Sequence, residues 1–165
     1  MMSKIGFYTG LCWSASFLFA MLSLRLPAIG FAGNLIGVAS IWVAGWQLRA
    51  MQMNDVKEAW GVRSRWHKSL QAQLLAALVC TFVQYAYFQF FDNGAMMQAL
   101  TEIYTNPINA EALKQMLPEY EPQQVLDMLS TISLKDIVIN MLVMNAFLAI
   151  ILSLPTTVVA KWRKP

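Results

Sequence analysis

Four stretches without a charged residue, 5–24, 26–48, 69–91 and 137–160, organise this chain, and every Asp, Glu, Lys and Arg lies between or beyond them. At about 1.5 Å of rise per residue, helices of this length reach roughly 30 to 36 Å, enough to cross a hydrocarbon core of about 30 Å with a modest tilt. The pattern predicts an all-α fold, an integral membrane four-helix bundle forming one domain over residues 1–165, with spans at about 5–24, 26–48, 69–91 and 134–160. A soluble chain carries about a quarter of its residues as charges. With 58% hydrophobic and 13% charged residues, this one lacks the polar surface to stay in water, and the lipid bilayer is its expected surrounding.

A net charge of +3 and a pI near 9.0 do not by themselves point to nucleic acid, because only the distribution of a basic excess is informative. Here the distribution follows a bilayer. Lys4, then Arg49, Lys57, Arg63, Arg65 and Lys68, then Lys161, Arg163 and Lys164 fall on the side that holds the N-terminus, the middle loop and the C-terminus, and only Arg25, Lys114 and Lys135 fall opposite. Cytoplasmic retention of Lys and Arg predicts that both termini and the interfacial loop 49–68 face the cytoplasm. The segment 92–133 is then external and acidic, with Asp92, Glu102, Glu111, Glu119, Glu121 and Asp127 against Lys114 alone.

The first span resembles a cleavable signal in having Lys4 before it, but its apolar run is longer than a signal core and Arg25 follows closely, so it is expected to stay as an anchor. Leu11 stands where a lipid-attachment motif at Cys12 wants a small residue. Cys12 and Cys80 both lie inside spans, where a thiol behaves as a small apolar group, and no disulfide framework is expected.

Arg25, Leu26 and Pro27 join the first two spans so tightly that they must form an antiparallel hairpin. Gly30, Gly33 and Gly37, with Asn34 among them, are the expected packing face, since small residues let membrane helices approach closely and an amide finds its partner across the interface. Asn140 and Asn145 in the last span are expected to join that packing. From Leu48, apolar residues at Met51, Ala59, Val62, Trp66 and Leu70 recur at spacings that are mostly three or four, which predicts a helix lying in the inner interface. Trp42, Trp46, Trp60, Trp66 and Trp162 fall at the same depth and read as an aromatic belt. Arg63, Arg65 and Lys68, beside His67, are the candidate lipid-headgroup contacts.

Asn93 and Gly94 offer a stop to the third helix, whereas Ala95 to Tyr104, rich in helix formers, offers its continuation above the membrane. Beyond Asn106-Pro107, Asn109 with Glu111 opens a short helix that Pro118 closes, and Pro122 opens another. These two predict a short external helical hairpin between spans 3 and 4. Glu111, Leu113, Glu119, Glu121 and Asp127 are its candidate partner contacts. Pro155 near the inner end of the last span predicts a tolerated kink.

The succession of an aromatic span end (Tyr85-Ala86-Tyr87-Phe88), Tyr104-Thr105-Asn106-Pro107, two short helices, a long apolar span with Asn145 and a basic tail (Lys161-Trp162-Arg163-Lys164-Pro165) resembles a bacterial membrane family named only as domain of unknown function 4199. The resemblance covers the chain from about Trp46 onward and the first hairpin loosely. It implies a multi-pass bacterial inner-membrane protein, and it carries over no catalytic residue.

An enzyme in a membrane is usually marked by charged residues or histidine within its spans, and the four uncharged stretches hold none. His67 has no nitrogen, sulfur or carboxylate partner at ligand spacing. No catalytic, metal or cofactor-binding residue is therefore expected. A small oligomeric transporter or channel component is the alternative reading, with Asn34, Gln71, Gln73, Gln84, Gln89, Asn140, Asn145 and Thr156 as its polar path. Coupled transport usually places a charge at the substrate site. The leading expectation is a non-enzymatic scaffold or accessory subunit that meets a protein partner, or a second copy of itself, through the external segment; no nucleic acid is expected.

Single cysteines at Ser64 and Gln115, with Cys12 and Cys80 replaced, test the orientation. An impermeant thiol reagent applied to the outer face of intact inner membranes should label the Gln115 position and spare Ser64; equal labelling or the reverse order would contradict the charge argument.

Overall fold

Long uncharged runs satisfy their backbone N–H and C=O groups in hydrocarbon only as helices, and helix is what the chain forms. In a computed structural model, residues 1–24, 26–55, 60–107, 109, 111, 115 and 122–161 are described. Among them are six helices and no strand: α1 (Met2–Ser23), α2 (Ala28–Asp55), α3 (Val62–Phe90), α4 (Ala95–Thr105), α5 (Pro122–Thr131) and α6 (Leu134–Val159). Four of these, α1, α2, α3 and α6, are long and apolar enough to cross a membrane.

Local chemistry sets the breaks. Pro27 precedes α2, where its missing N–H costs nothing and its carbonyl accepts from Gly30 at 3.1 Å. Gly61, extended at ψ 162°, precedes α3. Asn93 (φ 47°) and Gly94 (φ 80°) turn the chain left-handed after α3, so residues 95–105 form a separate helix rather than a continuation. The Asp92 carboxylate accepts from Met96 N at 3.2 Å and caps that helix. Ser133 and Asp136 form a reciprocal capping box at the start of α6, Asp136 N donating to Ser133 Oγ at 3.3 Å and Ser133 N to Asp136 Oδ2 at 3.1 Å.

Within the stretch 49–68, expected as a helix along the interface, α2 runs on to Asp55 and α3 begins at Val62, and residues 56–59 lie outside the described residues. The Ala, Gln and Met residues of this stretch prolong a helix at little cost, so each span overruns its apolar core by about two turns. α5 occupies the position expected for the second external helix. Its expected partner, opened by Asn109, falls mostly outside the described residues, and α5 packs against α4. The Asn109 amide donates to the Ile103 carbonyl at 3.1 Å, closing the end of α4.

Packing fixes the topology. Gly6 of α1 lies on Ala72 and Leu75 of α3, Gly10 on Ala76 and Val79, and Phe17 on Tyr87 and Phe88, so α1 and α3 run parallel. α2 descends against α1, with Gly30 at Ser23, Gly33 at Phe19 and Gly37 at Ser16. α6 runs antiparallel to α3, pairing Asn145 with Thr81 and Thr156 with Gln73. The circuit closes where Gly45 of α2 meets Val159 of α6, at the end of the bundle that carries the N-terminus, called the basic end below; the opposite end, with α4 and α5, is the acidic end.

The interior is small and polar and the outside is bulky and apolar. Ala44, Ala72, Ala76 and Ala149 are fully buried with Thr9, Ser40, Gln73, Ser153 and Thr156, whereas Phe82 is 73% and Trp46 75% exposed. This inverted distribution suits a surface bathed in lipid, where packing of small residues and internal hydrogen bonds replaces the hydrophobic effect between helices.

A Cβ on Gly10 would stand 2.6 Å from Val79 Cβ and 3.0 Å from the Ala76 carbonyl oxygen, and one on Gly33 2.9 Å from Phe19 Cβ. Gly10→Leu and Gly33→Leu should each destabilise the bundle by about 1–3 kcal/mol or more, against little change for Val43→Leu. Thermal melts in detergent check this, and three indistinguishable curves would place the glycines away from any tight contact.

Candidate functional site

The buried face of α3 is a stripe of small and polar residues at helical spacing: Ser69, Ala72, Gln73, Ala76, Ala77, Cys80, Thr81 and Gln84. Facing it, α6 buries Asn145, Ala149, Ser153, Thr156 and Thr157. A polar seam results. Asn145 Nδ2 donates to Gln84 Oε1 at 2.7 Å and to Thr81 Oγ1 at 2.9 Å, Gln73 Nε2 donates to Thr156 Oγ1 at 2.8 Å, and Trp66 Nε1 donates to Ser153 Oγ at 3.1 Å. On the other flank, Trp13 Nε1 donates to Ser40 Oγ at 3.0 Å and ties α1 to α2. Around Pro155, the hydroxyls of Ser153, Thr156 and Thr157 donate to the carbonyls of Ile150, Leu152 and Ser153, crowding donors where the proline has none to give.

Toward the basic end, Gln52, wholly buried, finds no partner for either amide atom among the described residues, and Ser69 Oγ, Gln73 Oε1 and Arg65 Nε are likewise buried without one. Such groups are few in folded proteins and each costs stability. Toward the acidic end the four helices part around a cavity of about 470 Å³. Its walls include Trp13 and Phe17 of α1, Asn34 and Val38 of α2, Gln84 of α3 and Asn145 of α6. Asn34 and Gln84 each lie six residues from the acidic-end terminus of their helix, about 9 Å down. The cavity therefore sits well inside the apolar band.

The structure places the residues singled out from the sequence as follows. Gly30, Gly33 and Gly37 pack on α1, Asn145 is buried in the seam, Asn34 faces the cavity, and Asn140 is exposed on α6. Of the polar residues proposed as a path, Gln73 meets Thr156 and Gln84 meets Asn145, whereas Gln71 and Gln89 are exposed. Arg65 donates from Nη1 to the Trp60 carbonyl at 3.2 Å and Lys68 Nζ sits 5.0 Å from the centre of the Trp60 ring. Both are thus drawn toward Trp60, and Arg63 is left exposed beside His67. Trp66, read as part of the belt, turns inward to Ser153; Trp42 and Trp46 remain exposed as a belt requires, and Trp162 lies outside the described residues. Glu111 and Asp127 are exposed near the acidic end; Leu113, Glu119 and Glu121 lie outside the described residues. No group of three or more His, Cys, Asp or Glu that could hold a metal occurs among the described residues.

Sequence reasoning missed Gly6, Gly10 and Gly45 as contact points, although Gly6 and Gly10 stand at the four-residue spacing that marks close membrane helix pairs. It also missed the α3 stripe, whose signal is the run of small and polar residues at 69, 73, 77 and 81, four apart along one face.

The family described as "Protein of unknown function (DUF4199)" matches residues 4–161, the first hairpin included. The chain belongs to that family. No curated protein and no solved structure matches it. Family membership carries no activity to assign, so the geometry above is what a functional reading of this DUF4199 protein rests on.

Asn145→Leu removes two hydrogen bonds and leaves Thr81 and Gln84 facing an apolar side chain, so it should lower stability in detergent by about 1–3 kcal/mol. Asn140→Leu, at an exposed position, should change it by less than about 0.5 kcal/mol. Equal melting shifts for the two variants would remove the seam as the element that holds α6.

Proposed function

We propose that the chain is a multi-pass protein of the bacterial inner membrane, with both termini in the cytoplasm, that serves as a non-enzymatic scaffold or accessory subunit. The observation that carries this reading is the apolar surface left outside the spans at the acidic end. Ile103, Met128 and Ile132 are exposed on or beside α4 and α5, and α4 buries no residue. Helices of 11 and 10 residues are marginal on their own in water, so they need a surface to rest on. Apolar residues rimmed by Glu102, Glu111 and Asp127 suit a protein contact with a basic rim of its own. The absence of Asp, Glu, Lys, Arg and His from the four stretches 5–24, 26–48, 69–91 and 137–160 supports a role without catalysis or proton coupling.

The alternative, a transporter or channel component, draws on the cavity and its amides. Against a pore through one copy stands the plug at the basic end, where Ile5, Leu48, Ala72 and Ala160 pack together at 0–3% exposure.

A photo-crosslinking residue at Glu102 should trap one discrete partner in native membranes, with yield falling as salt rises, while the same residue at lipid-facing Leu78 should give lipid adducts only. Adducts from Leu78 alone would move the contact into the membrane. Solute or ion flux through the purified protein in liposomes would favour the transport reading instead.

A further inference from the structure

Two amides of the polar seam border the cavity, and both are left unfinished. Gln84 and Asn145 are each only 6% exposed, and among the described residues their side chains bond only through Asn145 Nδ2, to Thr81 Oγ1 and Gln84 Oε1. Gln84 Nε2 and Asn145 Oδ1 are left over. Neither belongs to the sealed, unpartnered atoms of the interior, so both are reachable from the cavity they line. An open amide donor and an open carbonyl about 9 Å below the end of an apolar helix are costly unless something answers them.

Three properties of the cavity define what would answer. Its lining holds no Asp, Glu, Lys, Arg or His, so an ionised head would be buried without a counter-charge. Its volume of about 470 Å³ fits a small organic group beside Trp13 and Phe17. Its flanks on α2 and α6, Val38 and Leu148, are themselves 57% and 42% exposed, so it opens sideways between these helices toward lipid. We propose that the cavity binds a neutral, long-chain carboxamide, its C=O accepting from Gln84, its N–H donating to Asn145, and its apolar chain leaving between α2 and α6. A carboxamide supplies an acceptor and a donor on separate atoms with no charge, as two separate side-chain amides require. The proposal is independent of the partner reading, since the site lies within the spans and the partner surface lies outside them.

The test uses the full-length protein in lipid nanodiscs with dodecanamide carrying a mid-chain diazirine, irradiated and mapped by peptide mass spectrometry. Dodecane with the same diazirine is the headless control, and a long-chain methyl ketone with it is the acceptor-only control. The amide should label Val38, Leu148 and Leu152 at least five-fold more than either control, and excess unlabelled dodecanamide should compete. Gln84→Leu should reduce amide labelling to the level of the headless probe. Because that change also cuts a bond between α3 and α6, Val38→Trp is the second variant: it fills the mouth from an exposed position, leaves the amide pair intact, and should abolish amide labelling without lowering the melting temperature. Phe82→Leu, on the lipid face, should leave labelling unchanged. Equal labelling by amide and dodecane, or amide labelling untouched by Val38→Trp, overturns the site. Equal labelling by the ketone and the amide overturns the two-point recognition of the head.

Discussion

Hydrocarbon offers no hydrogen bonds, so every polar side chain buried in this bundle has to be answered from within the protein, and that constraint shapes most of what is seen. Hydroxyls solve it locally: Thr9, Ser14, Thr81 and Thr157 each donate to the carbonyl four residues back. Amides cannot do so, having both donors and an acceptor to place. Across the interface between α3 and α6 their demands are met in part, where Asn145 reaches Thr81 and Gln84, and Gln73 reaches Thr156. Two helices distant in sequence are thereby fixed in one register, since a slip by one residue would strand several amides at once.

The second determinant is how closely the helices approach. α1 lies between two neighbours, giving Gly6 and Gly10 to α3 and receiving Gly30, Gly33 and Gly37 from α2. α2 and α6 have one comparable contact, Gly45 against Val159, at the basic end. Near the acidic end α2 presents Asn34 and Val38 to the opening, and no tight glycine contact draws it toward α6. The cavity follows from that asymmetry.

The number and order of the long apolar helices were legible because hydropathy acts over twenty residues and tolerates local error. The glycines of α2 were legible for the same reason that they pack: little else fits where Gly33 meets Phe19. What sequence did not reveal was the face each residue takes. Asn34, Asn140 and Asn145 look alike in a string, yet the first two are exposed, Asn34 at the edge of the cavity, and the third is buried, because rotation about each helix axis is decided by partners on other helices. Trp66 shows the same limit: an indole at interface depth suggests a belt, but Ser153 across the seam turns it inward. The overrun of α2 and α3 past their apolar cores reflects the helix propensity of polar residues such as Gln52, which hydropathy cannot register.

The two ends of the bundle divide the possible work. At the basic end the helices are closed by Ile5, Leu48, Ala72 and Ala160, and even the polar groups there, Gln52, Ser69 and Gln73, are sealed from outside. At the acidic end the same helices part, the amides of Gln84 and Asn145 are only half answered, and α4 and α5 carry apolar residues that no core covers. A lipid-borne molecule entering between α2 and α6 would meet the side chains of Gln84 and Asn145, and through them one of the bonds that join α3 to α6. α3 and α6 are also the helices whose acidic-end termini lead into α4 and α5. The two features of the acidic end, the cavity and the exposed apolar residues of α4 and α5, are thus carried by the same pair of helices.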